Sequence, residues 1–447
     1  GGLHLGSNGF VGYMLPVPER HQTITPENDG HSISPSKDVQ KESPQKDDQT
    51  TTPNKDAQQP DVLSVVQQED VLPIYLLAGQ SNMRGYGAER QTTGASPEGT
   101  LEYAGQQSTK LAAVLEQLWA CDSTAPVELD DIKVVAYTNI AKDTAPACVD
   151  ALSAETQETL ATSKKDGFAF FGPELGFGFG MHNAKLSKQM LILKTAKGGT
   201  TLGWDWLPPS RRTEALCKDM KSAGVKKYKD VKCEEFTKLG WGELYDKMME
   251  KVELYMNPEE LTKVMPSLRA VKPVFVGFGW FQGTSDYYDA MADFYKDNLV
   301  SLIQDVRSGV SKPNLPVVVA ACGHFGDGQD SAEPPGLRTV QEAQLAATTT
   351  LHDAITVDTR PLWRNYGATA KSSQWIHYYW NGEEEFFVGQ GLAHGMAGLI
   401  YGMQEDVIKK QWQACTTAFA DAAEDALAPT NMTLDDLPAT IRPSSSC

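Results

Sequence analysis

Six apolar runs, separated by stretches of helical periodicity, set the pattern of the chain. Residues 71–78 (VLPIYLLA) are almost continuously apolar, as a strand buried on both faces must be. Runs at 133–138, 189–195 (QMLILKT), 272–279 (KPVFVGFG), 315–321 (LPVVVAA) and 354–358 (AITVD) share that character. Between them Met291, Phe294, Leu299, Leu302, Ile303 and Val306 recur at three-four spacing, with Gly309 where a helix C-cap belongs. Val388, Leu392, Met396 and Leu399 mark the last helix of the domain. This alternation predicts an α/β fold, with a parallel sheet covered by helices on both faces.

Two stretches break the pattern. Residues 121–165 are polar and irregular, and 206–239 are rich in lysine. Both read as surface elaborations of the domain. Residues 28–60 hold only Ile33, Val39 and Ala57 as apolar side chains, too few to offset the entropy of ordering. The expected organisation is therefore a low-complexity, largely disordered segment over 1–70, a catalytic-type domain over 71–410, and a C-terminal helix and tail over 411–447.

Composition narrows the possible partners. Of 447 residues, 40 are Lys or Arg and 58 are Asp or Glu, a net charge of −18. Nucleic acid and anionic membrane both call for a basic surface, so neither is an expected partner; neutral or cationic material is. No apolar run approaches the roughly 20 residues of a membrane-spanning helix. The chain begins Gly1-Gly2 rather than with Met, as a processed chain or a fragment would. Seven cysteines include no Cys-x-x-Cys. Cys121/Cys148 and Cys217/Cys233 each bracket an insertion, a spacing that suits disulfides. With the sequon Asn431-Met432-Thr433, this makes an extracellular or secretory location the expectation.

In an open α/β sheet, ligands bind beyond the carboxyl ends of the strands. After the first run comes Gly79-Gln80-Ser81-Asn82-Met83, and after the third Lys197-Gly198-Gly199-Thr200. Trp280-Phe281-Gln282-Gly283 follows the fourth, and His324 the fifth. His377 precedes the last helix. Acyl transfer uses such a set. A serine hydroxyl needs an imidazole to take its proton, and an oxyanion needs backbone or carboxamide N–H donors. Six of the nine tryptophans (Trp204, Trp206, Trp280, Trp363, Trp375 and Trp380) lie beside these segments and have faces suited to sugar rings. No phosphate loop, His-Glu-x-x-His or Gly-x-Ser-x-Gly occurs, which excludes three other chemistries.

GQSNM after a strand, KTAKGGTTL, WFQGTSD and the block Phe171-Gly172-Pro173-Glu174-Leu175 resemble the signature blocks of the SGNH-hydrolase superfamily. The resemblance is to its sialate O-acetylesterase-like branch, which includes acetylxylan esterases of carbohydrate esterase family six. It implies a flavodoxin-like α/β/α sandwich with five parallel strands. It also implies a serine esterase that removes O-acetyl groups from carbohydrates without metal or organic cofactor. Carried over, Ser81 is the nucleophile and His377 the base. Ser81, Gly199 (or Gly198) and Gln282 form the oxyanion hole. Asn82, Gly198, Trp280 and Trp363 are expected to contact an acetylated carbohydrate. Two positions depart from the branch. Gln374 stands where an Asp three residues before His377 is usual, and Thr284 stands where a Glu is usual. Asp358, at a strand end, is the first candidate for the acid, with Glu383 second and Asp286 expected to be structural. His324 is a possible substrate contact, while His182 and His394 read as structural. A catalytically inactive carbohydrate-binding protein on this fold, or an esterase for lipid or aryl esters, is the alternative.

Overall fold

The sheet forms because its strands have apolar side chains on both faces. In the computed structural model the six predicted runs become β1 (Val71–Gly79), β3 (Ile132–Tyr137), β6 (Met190–Ala196), β7 (Lys272–Phe281), β8 (Val317–Ala320) and β9 (Ala354–Val357). They lie in the order β3-β6-β1-β7-β8-β9, every neighbouring pair parallel. Six parallel strands thus replace the expected five. A short strand, β4 (Ala147–Val149), adds an antiparallel edge beside β3, and β2 (Gly87–Gln91) pairs with β5 (Phe168–Phe171) in a separate two-stranded ribbon. The structure describes residues 61–91, 99–101, 118, 126–142, 144–161, 168–269, 271–326, 333–364 and 374–424. The segment 28–60 and the sequon lie outside them. The described part of the expected disordered segment is ordered: Asp61 caps a short helix, Val62–Val66, and Val66 is buried.

Period-two alternation divides each strand between two cores. Tyr75 and Leu77 of β1 join Ile192, Val276 and Val318 under helices Pro173–Ala184, Gly382–Ile400 and Glu405–Glu424. Ile74 and Leu76 join Leu191, Leu193 and Phe278 under Glu243–Tyr255, Tyr295–Gly309 and Pro335–Ala347. The result is the three-layer α/β/α sandwich. The helix Glu405–Glu424 crosses the boundary expected at 410/411 and contributes Ile408, Trp412 and Cys415 to the first core.

The helix Gly382–Ile400 is buried along its whole length. It reaches the sheet by lying almost directly on Pro173–Ala184. A Cβ at Gly176 would overlap the Phe386 carbonyl, and one at Gly389 would overlap the Pro173 carbonyl. Facing glycines thus let two backbones touch, and this contact sets the depth of the segment just before the helix, which carries His377.

The insertion 206–239 packs its Leu207, Leu216, Met220, Val225 and Tyr228 with Trp241 and Met291 in a small core, closed by the disulfide Cys217–Cys233. The other expected disulfide is not made: Cys148 is a free thiol in β4, and Cys121 lies outside the described residues. The β4 pairing directs Cys148 by the sheet ladder rather than by a crosslink.

Because the helix contact has no room for a methyl group, Gly389→Ala should destabilise the fold by about 1–3 kcal/mol. Thermal denaturation would register this as a fall in Tm, whereas an unchanged Tm would show that the helices separate freely.

Candidate active site

β1 lies between β6 and β7, and the chain runs to one side of it before crossing to the other. That reversal opens a crevice at the carboxyl edge, where an open α/β sheet binds ligands. The loops after β1, β3, β6 and β7 meet there with the segment before Gly382–Ile400. They enclose a cleft of about 590 Å³ whose lining includes Ser81, Gly198, Gly199, Ser285 and His377.

Ser81 opens the four-residue helix Ser81–Arg84 and is 5% exposed. Its hydroxyl accepts from Gln80 Nε2 at 3.4 Å. As the first helical residue, its backbone N–H has no acceptor within the helix. Gly198 lies against it, since a Cβ there would come within 3.4 Å of the Ser81 Cβ. Gly199 has φ +70°, a conformation that an L side chain would strain.

The loops are locked by buried polar groups. Gln80 Oε1 accepts from Gln282 Nε2 at 3.0 Å and from the backbone N–H of Gly283 and Ser285, each at 3.2 Å. Asp286 accepts from the N–H groups of Leu202 and Gly203, each at 2.9 Å, and from Gln282 Nε2 at 2.6 Å. Burial pushes the Asp286 carboxyl up to about 6, against the pull of those three donors. Asp286 is structural, and it ties the double-glycine loop to the loop after β7.

Gln282 does not reach the cleft. It is 1% exposed, and its carboxamide N–H groups serve Gln80, Asp286 and the Thr200 carbonyl. A carboxamide buried at a strand end must satisfy its donors locally, so the expected third oxyanion donor is committed to holding loops. Trp280 also points away. It is fully buried and packs edge-on against Trp206, with ring centroids 5.5 Å apart. Trp363 is half-buried and stacks on Phe325 behind the cleft. No tryptophan is among the described lining residues; the aromatic side chains there are Tyr86 and Tyr288, and the sequence reading passed over both.

His377 is held from three directions. Its Nδ1 lies 2.8 Å from Gln374 Oε1. That oxygen only accepts, so Nδ1 carries a proton, and in the neutral ring the lone pair is on Nε2. The ring stacks on Tyr86 with centroids 3.9 Å apart and planes 3° from parallel. The preceding carbonyl, of Ile376, accepts from Asn82 Nδ2 and from His324 Nε2, each at 3.2 Å. Asn82 therefore links the serine helix to the histidine segment and is not a lining residue. His324 is likewise buried, with its pKa pushed down to about 3 chiefly by burial. Tyr378, Tyr379 and Trp380 follow with φ between 52° and 66°, a left-handed run of non-glycine residues that costs about 1–2 kcal/mol per residue. Tyr378 is held there by stacking on His324 and by accepting the Gly323 N–H at 2.9 Å.

The two carboxylates expected near His377 are engaged elsewhere. Asp358 is gripped by Arg360, at 2.8 Å from Nε and 2.6 Å from Nη2. Glu383 pairs with Arg364 Nη2 at 2.9 Å. Each carboxylate took the nearest guanidinium, a charge-assisted partner that an imidazole does not match. His182 meets Asp131 at 2.8 Å and His394 meets the Ile408 carbonyl at 3.1 Å, both outside the cleft lining.

The fold and the cleft thus define a hydrolase-type α/β sandwich with a serine and a histidine at its switch point. Residues 71–396 match the family described as carbohydrate esterase, sialic acid-specific acetylesterase, and the chain belongs to that family. It is a hydrolase of ester bonds, and O-acetyl esters of carbohydrates are its general substrates. No curated protein sequence matches the chain. Among solved structures it is similar to a protein from Arabidopsis thaliana (18% identity, covering 72% of this chain and 97% of that one, TM-score 0.39). It is also similar to a carbohydrate acetylesterase from Xanthomonas citri (15%, 74% and 56%, 0.39). A third is NanS (14%, 78% and 99%, 0.37).

The His324 environment has a consequence for stability. The folded ring stays neutral down to about pH 3, while an unfolded histidine takes up a proton below its ordinary 6.5. Over that window the unfolded chain binds more protons, so stability is full above 6.5 and declines as pH falls toward 3. At about 1.4 kcal/mol per pH unit, the loss at pH 5 is roughly 2 kcal/mol. His324→Gln keeps an N–H donor for Ile376 but does not titrate. Its Tm should fall less between pH 7 and pH 5 than that of the wild type, and an equal fall would refute the assignment.

Proposed function

We propose that the chain is a carbohydrate O-acetylesterase working through an acyl-enzyme, with Ser81 as nucleophile and His377 as general base. The observation that carries this is the meeting of Ser81, Gly198-Gly199 and His377 in one cleft, with Nδ1 of the imidazole engaged by Gln374. Nε2 then takes the Ser81 proton while Oγ bonds to the acetyl carbon, and the carbonyl electron pair moves onto oxygen. Hydrogen bonds between catalytic groups commonly form or tighten only when substrate binds. The backbone N–H groups of Ser81 and Gly199 receive the oxyanion. On collapse the sugar oxygen leaves with the proton from Nε2. Water repeats the sequence and releases acetate.

The lining supports a carboxylated sugar of the sialate kind. Arg84 and Lys197 both line the cleft, and Arg84 Nε is a buried donor with no hydrogen-bond partner. Two local cations thus oppose the overall charge of −18, the balance that favoured neutral or cationic partners. Tyr288, 59% exposed at the rim and backed by Tyr287 at 3.9 Å, offers a face for a sugar ring. The Cys217–Cys233 disulfide supports an extracellular or secretory setting.

One observation favours a second reading, a binding protein without turnover: the partner of His377 Nδ1 is a neutral amide and not a carboxylate. Gln374 preserves the tautomer but gives the imidazolium no counter-charge.

Ser81→Ala should fold normally and lose essentially all hydrolysis of 4-nitrophenyl acetate; wild-type activity in that variant refutes the mechanism. Gln374→Glu puts a carboxylate oxygen at Nδ1 and should raise kcat/KM by about tenfold or more, since an ionised acid stabilises the imidazolium. A wild type that is silent, with Gln374→Glu silent too, would favour the binding-protein reading. For the substrate, Arg84→Met and Lys197→Met should raise KM for an O-acetylated sialic acid several-fold while leaving 4-nitrophenyl acetate nearly unaffected. An equal effect on both substrates would argue against carboxylate recognition.

A further inference from the structure

The stacking of Tyr86 on His377 is closer and more nearly parallel than a packing contact requires, with centroids 3.9 Å apart and an interplanar angle of 3°. Tyr86 is not free to drift from it. It sits between two glycines whose hydrogens face other backbone or side-chain atoms. A Cβ at Gly85 would fall 2.7 Å from the Phe171 carbonyl, and one at Gly87 would fall 2.6 Å from the Glu385 Cβ. Its backbone N–H is accepted by the buried Glu385 carboxyl. Its ring leans on Phe170 at 6.1 Å, on the ribbon strand β5. The ribbon and the buried helix Gly382–Ile400 therefore hold the phenol where it is, against the imidazole.

We propose that Tyr86 is a positioning residue for His377, whose aromatic face fixes the plane of the ring and favours its imidazolium form where Gln374 provides no negative charge. The proposal rests on the reading of His377 as the general base. In that reaction the Ser81 O–H bond breaks and its proton passes to Nε2, so the ring gains a positive charge in the transition state. A π-face attracts that charge more than it attracts the neutral ring. Gln374 meets the edge of the imidazole and Tyr86 meets its face, so the two constraints are independent. Among the described residues, the charged or titratable groups that share the cleft with the ring are Arg84, Lys197 and Tyr288, and the buried, neutral His324 interacts with it electrostatically. All of these stay constant when only the Tyr86 ring is changed.

The test is a series at position 86 with full pH profiles of kcat/KM on 4-nitrophenyl acetate. Tyr86→Phe retains the face and should stay within about twofold of the wild type. Tyr86→Leu should lose roughly five- to thirty-fold and shift the acid limb of the profile to lower pH by up to about one unit. Because leucine changes shape, trifluorophenylalanine installed at the same position supplies the control. It keeps the phenyl outline and weakens the face, so it should lower kcat/KM and shift the limb in the same direction as leucine. A limb unmoved in both variants reduces Tyr86 to a space-filling residue and overturns the proposal, even where kcat/KM falls. His377→Ala separates this failure from that of the parent reading. Full activity in His377→Ala overturns both, whereas an inactive His377→Ala beside an unaffected trifluoro variant overturns only the role of Tyr86.

Discussion

The geometry of the cleft depends on one constraint: a carboxyl and two carboxamides buried at the carboxyl edge of the sheet need hydrogen-bond partners there. Asp286, Gln282 and Gln80 answer it together. The carboxylate of Asp286 collects donors from the double-glycine loop and from Gln282, and Gln80 collects Gln282 and two backbone N–H groups of the loop after β7. Three loops that the chain brings in at widely separated positions are thereby locked into one arrangement. Ser81 follows Gln80 directly, so the proposed nucleophile inherits its place from that network. Buried networks of this kind rigidify when every member is satisfied.

A second anchor holds the other side. The buried pair Lys194–Glu174, at 2.6 Å, joins β6 to the helix Pro173–Ala184, and Lys194 also donates to the Arg84 carbonyl at 3.1 Å. The same helix packs through Gly176 and Gly389 on Gly382–Ile400. Serine and histidine thus stand on elements tied to a common core, and the strained run Tyr378–Trp380 is carried by that rigidity. Strain of this size persists only where the surroundings over-determine the backbone.

The site also shows how one substituted position is accommodated. In the proposed mechanism Gln374 occupies the place of an acid and retains one of its two duties, setting the tautomer. The other duty, opposing the charge of the imidazolium, is not met by Asp358 or Glu383, since Arg360 and Arg364 hold them. Among the described residues, the aromatic face of Tyr86 also contacts the ring.

The sequence by itself determined the layers and most of the edge. Continuous apolar runs cannot be solvated on either face, so all six strands, and their place in a parallel sheet covered on both faces, were legible. Ser81, Gly198-Gly199 and His377 were legible too, because they follow or precede those elements directly. The three-residue β4 and the β2–β5 ribbon were too short to show a period. What only the tertiary structure decided was where side chains at the strand ends point. Asp358, Gln282, Trp280 and Trp363 all occur at plausible places along the chain, yet a guanidinium, two buried loops and apolar neighbours hold them away from the cleft. Tyr86 had no signal of its own, since its partner lies almost three hundred residues away in the chain. Position along an edge follows from local pattern, but direction follows from the strongest available partner, and that partner is known only once the chain is folded.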